Sequence, residues 1–397
     1  MTTSIFSYKK SFLITSIFFF IQGVIFATWA SRIIDIKSTL ELSDAVLGGV
    51  IFAIPVGQLS LISLFTWAVN RFTSLRSLCF TSVALPLSLV GVGIAGSGLV
   101  GSGIVPLIVA LFFFGAFTNF NNLCINTQAI NVEKLYSKSV MPTFHGMWSL
   151  GAFSGALLSF ALTSVRVSIV SHFGIVAILC SLFALYFSRG LISEDIKGES
   201  CSTEKGGGIL KSINSSILLL GVISFAAMMC EGTMFDWSNI YFQDVVGAPS
   251  SLVPLGYIVC MCTMTIGRFI AGIFISRYGS IAVVRTSGIL IAVGLTLAVA
   301  FPNMVSTTIG FTIIGFGISS NVPVCYSLAG RLSNVAPSIA IAAVSTIGCF
   351  GFLIGPPIIG VITQAIGLRF TFGLIIILAL SIIYLVGNLK GSPKQNS

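Results

Sequence analysis

The sequence predicts an all-α membrane protein of about twelve transmembrane helices, arranged as two parallel six-helix pseudo-repeats. Hydrophobic residues make up 55% of the 397 residues and charged residues only 8%, whereas a soluble domain carries roughly 25% charged residues. The apolar runs are ~20 residues long and do not alternate with a period of two, which favours helices over barrel strands. Because backbone groups in lipid must be satisfied internally, each run is expected to form a helix.

The apolar runs are separated by turn residues or by charges. Gly96–Gly98, Pro302-Asn303 and the stretch from Asn334 to Pro337 mark three of the breaks. The first run follows two lysines, but no small-residue cleavage site comes after it, so we expect a retained span rather than a signal peptide. A window of ~19 residues places the helices at residues 11–30, 45–69, 77–96, 104–128, 144–163, 168–188, 214–234, 252–276, 280–301, 304–328, 339–363 and 367–388.

One polar stretch in the middle of the chain divides six predicted helices from six. Residues 189–213 contain charged residues of both signs and the run Gly206–Gly208, and we interpret them as a flexible cytoplasmic linker. The predicted organisation is an N-terminal six-helix bundle of residues 1–188, this linker, and a C-terminal six-helix bundle of residues 214–397.

The basic residues predict the orientation, because cytoplasmic loops of membrane proteins are enriched in Lys and Arg. With a cytoplasmic N-terminus, fifteen Lys and Arg residues lie inside and four outside, with Arg268 left within a span. Both termini are then cytoplasmic, and we expect a bacterial inner membrane. The net charge of +9 lies along this cytoplasmic rim, which argues against a nucleic-acid partner. The inside residues are Lys9, Lys10, Arg71, Arg76, Lys134, Lys138, Arg189, Lys197, Lys205, Lys211, Arg277, Arg285, Arg331, Lys390 and Lys394, and the outside residues are Arg32, Lys37, Arg166 and Arg369.

Matching residues recur in the same order in the two halves of the chain. The offset between matches falls gradually from 208 to 200 residues, and odd-numbered helices match odd-numbered helices. This predicts parallel repeats related by an axis along the membrane normal, which suits rocking of two bundles about a central site. The matches are Trp29 with Trp237, Gly48 with Gly256, Arg71 with Arg277, Ser74 with Ser280, Gly115 with Gly315, Asn121 with Asn321, and Ala129 with Ala329.

The loops between helices two and three, and between eight and nine, resemble the signature loop of the major facilitator superfamily, G-x-x-x-D-R-x-G-R-[KR]. In the first copy only Arg71 survives, with Asn70 in the acidic position, whereas the second copy, Gly272–Gly279, keeps both glycines and Arg277. The resemblance implies the major facilitator fold. It also implies transport by alternating access of two bundles about a central cavity.

Longer stretches in both halves resemble a narrower branch of that superfamily, the rhizopine-locus membrane proteins. The branch implies a sugar- or polyol-like substrate only loosely. In the proteins of that branch, the fourth helix carries an acidic residue where this chain has Asn122. The amide of Asn122 cannot bind and release a proton as a carboxylate does. Proton coupling, if present, is therefore expected elsewhere in the chain. The stretches are Trp29–Arg32, Phe144–Gly151, Glu231-Gly232, Asp236–Ser238, and Ala343–Thr346 with Gly355–Pro357.

Three amides mark the fourth helix as the first candidate for substrate binding. Asn119, Asn122 and Asn126 lie at i, i+3 and i+7 and so share one helical face. Three amides are not expected to face lipid, so they either hydrogen-bond to other helices or line a polar cavity. Each amide offers both a donor and an acceptor, which suits a neutral hydroxylated ligand.

Four further residues are expected to contribute to the substrate site. Trp148 is able to stack on a sugar ring, although packing is the usual role of any Trp. Asn321 and Tyr326 in the tenth helix follow from the internal repeat, and Gln22 in the first helix is a polar residue within a span. Gln58 in the second helix is a weaker candidate.

Three titratable residues are candidates for proton coupling. Inserting an ionisable group into the membrane within a span costs roughly 3 kcal/mol on insertion scales, so such a residue is expected to have a structural or functional role. Glu231 in helix seven is able to bind and release a proton, or it is a structural partner of a neighbouring helix. Asp236 is expected near the outer interface as a candidate carrier or as a solvated helix end. His145 opens helix five, where an interfacial hydrogen bond is the alternative role. His172, near the outer end of helix six, is expected at the interface.

Five residues are expected to have gating or structural roles. Arg268 in helix eight is either an anchor for substrate or Glu231, or it extends to the cytoplasmic face; its distance of about 12 Å from Arg277 favours the second alternative. Arg71 and Arg277 are the signature-loop arginines. Gly355 and Pro356 are expected to kink helix eleven, because proline removes a backbone donor.

The chain lacks the marks of several other function classes. There is no G-x-x-x-x-G-K-[ST] loop for ATP, no convergent nucleophile and base, and no metal-ligand spacing among the nine cysteines. We therefore expect no enzyme, no cofactor and no metal. The sequence favours a monomeric secondary transporter in membrane lipid that moves a small, neutral polar solute, and H⁺ or another cation is the expected coupling partner. Efflux of amphipathic compounds and a transport-inactive sensor or scaffold are the alternatives.

Overall fold

A computed structural model describes residues 2–101, 103–136, 141–192, 215–332 and 337–389, and these residues form helices and no strands. The linker predicted at residues 189–213 lies outside the described part from residue 193 onwards. The helices are α1 (Thr2–Ala30), α2 (Ile33–Thr39), α3 (Asp44–Ile51), α4 (Ala53–Ser60), α5 (Ile62–Gly96), α6 (Ile104–Tyr136), α7 (Met141–Ser164), α8 (Ile169–Ser188), α9 (Ser215–Asp244), α10 (Leu255–Tyr278), α11 (Ser280–Ala300), α12 (Met304–Ile318), α13 (Asn321–Leu332), α14 (Pro337–Ile366) and α15 (Leu368–Gly387).

The apolar helices have the length and composition needed to cross a membrane. Within the described ranges there are eleven such helices, and twelve if the pair Asp44–Ser60 and Ile62–Val69, which meets at 43°, is one span. The prediction of an all-α membrane protein with about twelve transmembrane helices is confirmed.

The chain divides into two compact units, Met1–Lys197 and Gly198–Ser397. In the N-terminal unit α1 packs along α7, and α6 packs against α4 and α5. Stacked aromatic rings fill the space between these helices, with ring centroids 4.3 Å apart for Phe65 and Phe120 and 5.4 Å apart for Phe19 and Phe144. Burial of such large apolar side chains, together with close helix contacts, holds the bundle together.

The C-terminal unit is packed in an equivalent way. Helix α9 lies along α14, and α12 packs against α10 and α11. Trp237 and Tyr241 on α9 are completely buried, and the Tyr241 ring lies 4.5 Å from the ring of Phe372 on α15. The hydroxyl group of Tyr241 donates a hydrogen bond to the carbonyl oxygen of Ala298, 3.0 Å away.

Equivalent glycines allow the same helix crossings in both units. A Cβ atom on Gly115 would collide with the carbonyl oxygen of Ile54, and a Cβ atom on Gly315 would collide with that of Cys260. Ile54 and Cys260 are 206 residues apart, the offset of the nearby signature loops. The internal repeat therefore extends to backbone contacts that only small residues permit.

Three helix interruptions, in two of the spans, were not expected from the sequence. The second span is interrupted around Phe52 and Leu61, and the tenth span between Ile318 and Asn321. Helix α14 continues through Gly355, Pro356 and Pro357, and the kink expected there stays a prediction.

Candidate functional site

The C-terminal unit contains a buried ion pair between two helices. The Nη2 atom of Arg268 on α10 donates to the Oε1 atom of Glu231 on α9 at 2.9 Å, and the two side chains are 18% and 8% exposed. Of the two alternatives for Arg268, the structure therefore shows the first: its side chain pairs with Glu231 and does not extend to the cytoplasmic face. The pairing offsets much of the cost of placing either charge among apolar helices.

Two tyrosines lie within electrostatic range of the Glu231 carboxylate. They are Tyr257 on α10 and Tyr326 on α13. The hydroxyl group of Tyr326 donates to the Oγ atom of Ser345 on α14 at 3.2 Å. The buried hydroxyl group of Tyr257 has no hydrogen-bond partner in the described part of the chain. A buried hydroxyl group without a protein partner is normally satisfied by water or by a ligand.

Tyr257 and Ser345 are site residues that the sequence analysis missed. Tyr257 precedes Arg268 by eleven residues, or about three helical turns, so the two share a face of α10. That spacing is a signal that could have found Tyr257. Ser345 had no such signal, because its contact with Tyr326 depends on how α13 packs against α14.

Asp236 lies on the same helix as Glu231, five residues towards its C-terminal end. That separation is about 7.5 Å along the axis, and the side chain is half-buried. Tyr257 is within electrostatic range of Asp236 as well as of Glu231. The tyrosine therefore lies near both of the carboxylates that were predicted to carry protons.

The predicted amide face of α6 is present, but its three members have different contacts. The Nδ2 atom of Asn119 donates to the carbonyl oxygen of Gln58 on α4 at 2.7 Å. The Nδ2 atom of Asn126 donates to the Oδ1 atom and to the carbonyl oxygen of Asn122, both at 2.8 Å. Asn122 is exposed and Asn126 is half-buried. Asn119 thus links two helices, whereas Asn122 and Asn126 form a polar surface.

Gln22 and Trp148 lie on helices that flank α6. Gln22 on α1 is buried, and its Nε2 atom donates to the carbonyl oxygen of Thr118, 3.2 Å away. Trp148 on α7 is half-buried, with its ring centroid 5.6 Å from that of Phe26. The structure therefore brings Gln22 to the α6 turn that carries Asn119 and leaves part of the Trp148 ring accessible.

Asn321 is completely buried at the first residue of α13. Neither its Nδ2 nor its Oδ1 atom has a hydrogen-bond partner among the described residues. Its repeat equivalent, Asn121, is buried in α6 and accepts a hydrogen bond from the Oγ1 atom of Thr81 at 3.0 Å. The two equivalent amides therefore have different surroundings.

The remaining predicted residues lie on exposed surfaces of the two units. His145 on α7 is exposed, and its ring packs edge-on against Phe19 at 5.5 Å. Arg71 is exposed, as is Arg277, whose guanidinium group lies 5.4 Å from the centroid of the Tyr278 ring. Exposure alone does not test the proton-coupling role predicted for His145 or the gating roles predicted for Arg71 and Arg277, and these roles stay predictions.

His172, the fourth residue of α8, is completely buried among the helices, and its expected depth near the outer interface stays a prediction. The Nε atom of Arg32 donates to the Nδ1 atom of His172 at 3.1 Å, so Nδ1 carries no proton. Arg32 also donates to a carboxylate oxygen of Asp35 at 2.7 Å and to the carbonyl oxygen of Val167 at 2.8 Å. The Oγ atom of Ser159 lies 3.5 Å from Nε2. This network connects the α1–α2 turn and α2 with α7, α8 and the turn between them.

Sequence comparisons relate the chain to membrane transporters. A family model described as Major Facilitator Superfamily matches residues 261–397. An uncharacterized transporter of Sinorhizobium fredii, y4wD, is 28% identical over 377 residues, covering 94% of this chain and 96% of the relative. An uncharacterized MFS-type transporter of Yersinia pestis is 26% identical, covering 93% of each chain. The membrane protein MosC of Rhizobium meliloti is 27% identical over 384 residues, covering 95% of this chain and 90% of MosC.

Solved structures of transporters share the fold of the chain. A variant of the nucleoside transporter NupG superposes with a TM-score of 0.77 at 14% identity, covering 96% of this chain and 100% of that structure. A bacterial homologue of the human lysosomal transporter Spinster superposes with a TM-score of 0.72 at 13% identity, covering 98% and 99%. The TM-scores establish a common fold. Sequence identities this low leave the substrate open.

Proposed function

We propose that the chain belongs to the major facilitator superfamily and is a secondary active transporter that moves a small, neutral polar solute by alternating access. The match of that superfamily's model to residues 261–397 and the similarity to uncharacterized transporters over more than 90% of the chain support this proposal. The observation that carries this proposal is the ion pair of Glu231 and Arg268, 2.9 Å apart within apolar helices. Buried ionisable residues in spans are costly, and in transporters they commonly mark an ion or proton pathway.

The coupling step that we propose is protonation of Glu231. A neutral carboxyl group no longer attracts the guanidinium group of Arg268, which then needs another acceptor. A solute hydroxyl group or the Asp236 carboxylate would supply one. Proton and solute would then favour different conformations of the transporter, which is the requirement for coupling. Asp236 and His145 are the alternative proton carriers.

The solute that we propose is hydroxylated and uncharged. The exposed amide pair of Asn122 and Asn126, with Trp148 on α7, supports this choice for the N-terminal unit, since amides bind hydroxyl groups and an indole stacks on a sugar ring. Tyr326, whose hydroxyl group bonds to Ser345 and which lies within electrostatic range of Glu231, supports it for the C-terminal unit. Sugars and polyols are the first class, and the fold shared with a nucleoside transporter adds nucleosides to the compounds worth testing.

We further propose that the protein is a monomer in the bacterial inner membrane, with both termini in the cytoplasm. The bacterial sources of the relatives support the location. The excess of Lys and Arg in alternate loops supports the orientation.

The test is proton movement in liposomes that contain the purified protein and an internal pH dye. Sugars, polyols, inositol derivatives, amino acids and nucleosides are added in turn to wild type and to Glu231→Gln. We expect a solute-dependent proton signal that Glu231→Gln abolishes, while counterflow exchange of the same solute is retained. The matched control is Asp244→Asn, which removes an exposed carboxylate at the end of the same helix.

Each other outcome points to a different function. A proton signal that survives Glu231→Gln would contradict the role of Glu231 and direct attention to Asp236 and His145. Exchange without any proton signal would indicate a uniporter or another coupling ion. Solute binding without exchange would favour a sensor.

A further inference from the structure

Two helices of the C-terminal unit, α11 and α15, meet along a seam at the surface of that unit. Gly288 on α11 lets them approach closely, since a Cβ atom there would lie 3.2 Å from the carbonyl oxygen of Ala379 on α15. Arg285 lies at one end of the seam, because a Cβ atom on Gly387 would lie 3.5 Å from its Nη2 atom. The two contacts run in opposite directions along the chain, so the helices are antiparallel.

Further along the seam the helices leave an apolar groove of about 460 Å³. On α11 its lining includes the small side chains of Ala292, Thr296 and Ala300, which recur every four residues and so share one helical face. The groove is open to the outside of the unit, since two other lining side chains, Val293 and Leu380, are 50% and 51% exposed. The hydroxyl group of Thr296 donates to the carbonyl oxygen of Ala292 at 2.7 Å, so an apolar ligand would leave it satisfied.

Arg285 and the groove lie on the same face of the seam. Ala292 and Thr296 follow Arg285 by 7 and 11 residues, and Leu380 precedes Gly387 by 7 residues on the other helix. Those spacings are two and three turns of an α-helix, so the groove begins about 10 Å from the arginine and continues past about 16 Å. Half of the hydrocarbon core of a bilayer is about 15 Å thick. The groove is therefore within reach of the acyl chain of a lipid whose headgroup lies at Arg285.

The charge of Arg285 is not neutralised by a carboxylate. Its side chain is exposed and forms no hydrogen bond or ion pair with a described residue. After residue 214 the chain has Asp or Glu only at Glu231, Asp236 and Asp244, all on α9. Helix α9 ends at Asp244, and α10 then runs back to Tyr278, beside the start of α11. The three carboxylates thus lie in the middle of the unit or towards the end opposite to Arg285.

The other end of the seam also carries an arginine, but that residue has a structural role. The Nε and Nη2 atoms of Arg369 on α15 donate to the carbonyl oxygens of Val299 and Ala300, 2.8 Å and 3.4 Å away. These are the last two carbonyl groups of α11, which have no partner within their own helix. Arg369 therefore caps α11, whereas the donors of Arg285 stay available to a ligand.

We propose that the seam between α11 and α15 binds one anionic phospholipid. The guanidinium group of Arg285 donates to the phosphate oxygens of the headgroup, and an acyl chain lies in the groove beside Ala292 and Thr296. Basic sites between helices at the membrane surface bind anionic headgroups, and a guanidinium group offers several donors to one phosphate group. A zwitterionic lipid fits the groove equally well but gains less from Arg285, because its headgroup carries a positive charge of its own. The site is separate from Glu231 and does not depend on the transported solute.

Photochemical labelling in vesicles tests this site. The full-length protein is placed in phosphatidylcholine vesicles with a small fraction of a lipid that carries a diazirine group in its acyl chain and a phosphatidylglycerol or a phosphatidylcholine headgroup. Labelled positions on α11 and α15 are identified by mass spectrometry of peptides. The variants are Arg285→Gln and Arg285→Lys. The matched control is Arg76→Gln, which removes an exposed arginine near the start of the third span in the N-terminal unit.

In wild type we expect phosphatidylglycerol to label the groove about fivefold more than phosphatidylcholine, the ratio that corresponds to about 1 kcal/mol for one arginine at a membrane surface. Arg285→Gln should bring that ratio close to one. Arg285→Lys, which keeps the charge, and Arg76→Gln should retain it. Equal labelling by the two headgroups in wild type, or an unchanged ratio in Arg285→Gln, would overturn the proposal.

Thr296→Phe tests the position of the acyl chain independently of the headgroup. Thr296 is exposed, so a phenyl ring there occupies the groove without disturbing the packing between the helices. Labelling of the groove should then fall several-fold for both headgroups, whereas Arg285→Gln affects phosphatidylglycerol alone. Undiminished labelling of Thr296→Phe by phosphatidylglycerol would show that the chain lies elsewhere, which contradicts the proposal.

Discussion

Glu231 and Arg268 lie too deep among apolar helices for either charge to be stable alone. Their side chains are 8% and 18% exposed and their atoms are 2.9 Å apart. Such a pair contributes little net stability compared with well-packed apolar side chains, but removal of one partner leaves the other charge buried and uncompensated. At the scale of single residues, the pair is therefore better explained by a function than by stability.

Arg268→Ala is expected to destabilise the protein by about 3–5 kcal/mol, because the Glu231 carboxylate is then buried without its guanidinium partner. The double variant Glu231→Gln with Arg268→Met removes both charges and should recover most of that loss. Unfolding of the purified protein in detergent, followed by tryptophan fluorescence, provides the measurement. A double variant as unstable as Arg268→Ala would show that the pair itself stabilises the fold.

The connection between the second and third spans has the same backbone shape as its repeat equivalent. Thr73 has φ 74° and ψ 156°, and Gly279, 206 residues later, has φ 82° and ψ 158°. Glycine adopts positive φ readily, whereas a β-branched residue there is strained. At the scale of elements, the first signature loop thus has the backbone conformation of the second, with Thr73 in the place of Gly279.

Thr73→Gly is expected to stabilise the protein by about 1–2 kcal/mol, because it removes backbone strain at positive φ. The control is Thr66→Gly in the helical segment before the kink at Thr73, an exposed residue with helical geometry, where glycine should cost about 1 kcal/mol. The midpoint temperature of unfolding distinguishes the two variants, since it should rise for Thr73→Gly and fall for Thr66→Gly. A loss of stability in both variants would show that Thr73 is not strained.

The two units repeat their closest helix contacts as well as their sequence matches. Gly115 meets the backbone at Ile54, and Gly315 meets it at Cys260. Gly151 and Gly348 are likewise close to helices α1 and α9, at Phe20 and Ser224 respectively. At the scale of the whole molecule, the repeat is a repeat of packing, and the break in the tenth span is a local departure from it.

Gly115→Ala and Gly315→Ala are each expected to destabilise the protein by about 1–3 kcal/mol, because the added Cβ atom overpacks a backbone contact. Gly49→Ala and Gly272→Ala are the controls, since nothing lies within 4 Å of a Cβ atom at either position. Thermal unfolding compares the four variants. Equal stability of all four would mean that the helices separate freely at these crossings.

The sequence by itself determined the number and type of the helices, the twofold repeat and the set of polar residues within spans. These properties are local, because a helix in lipid satisfies its own backbone and its length is set by the bilayer. The spacing of Asn119, Asn122 and Asn126 also placed them correctly on one face, although it did not give their different partners.

Only the tertiary structure decided which polar residues meet. Glu231 pairs with Arg268 across 37 residues, and Arg32 pairs with His172 across 140 residues. It also decided that, among the described residues, Asn321 lacks the partner that Asn121 has. The physical reason is that a partner depends on the rotation of each helix about its axis. Packing against neighbouring helices sets that rotation, and the hydropathy of one span does not encode it.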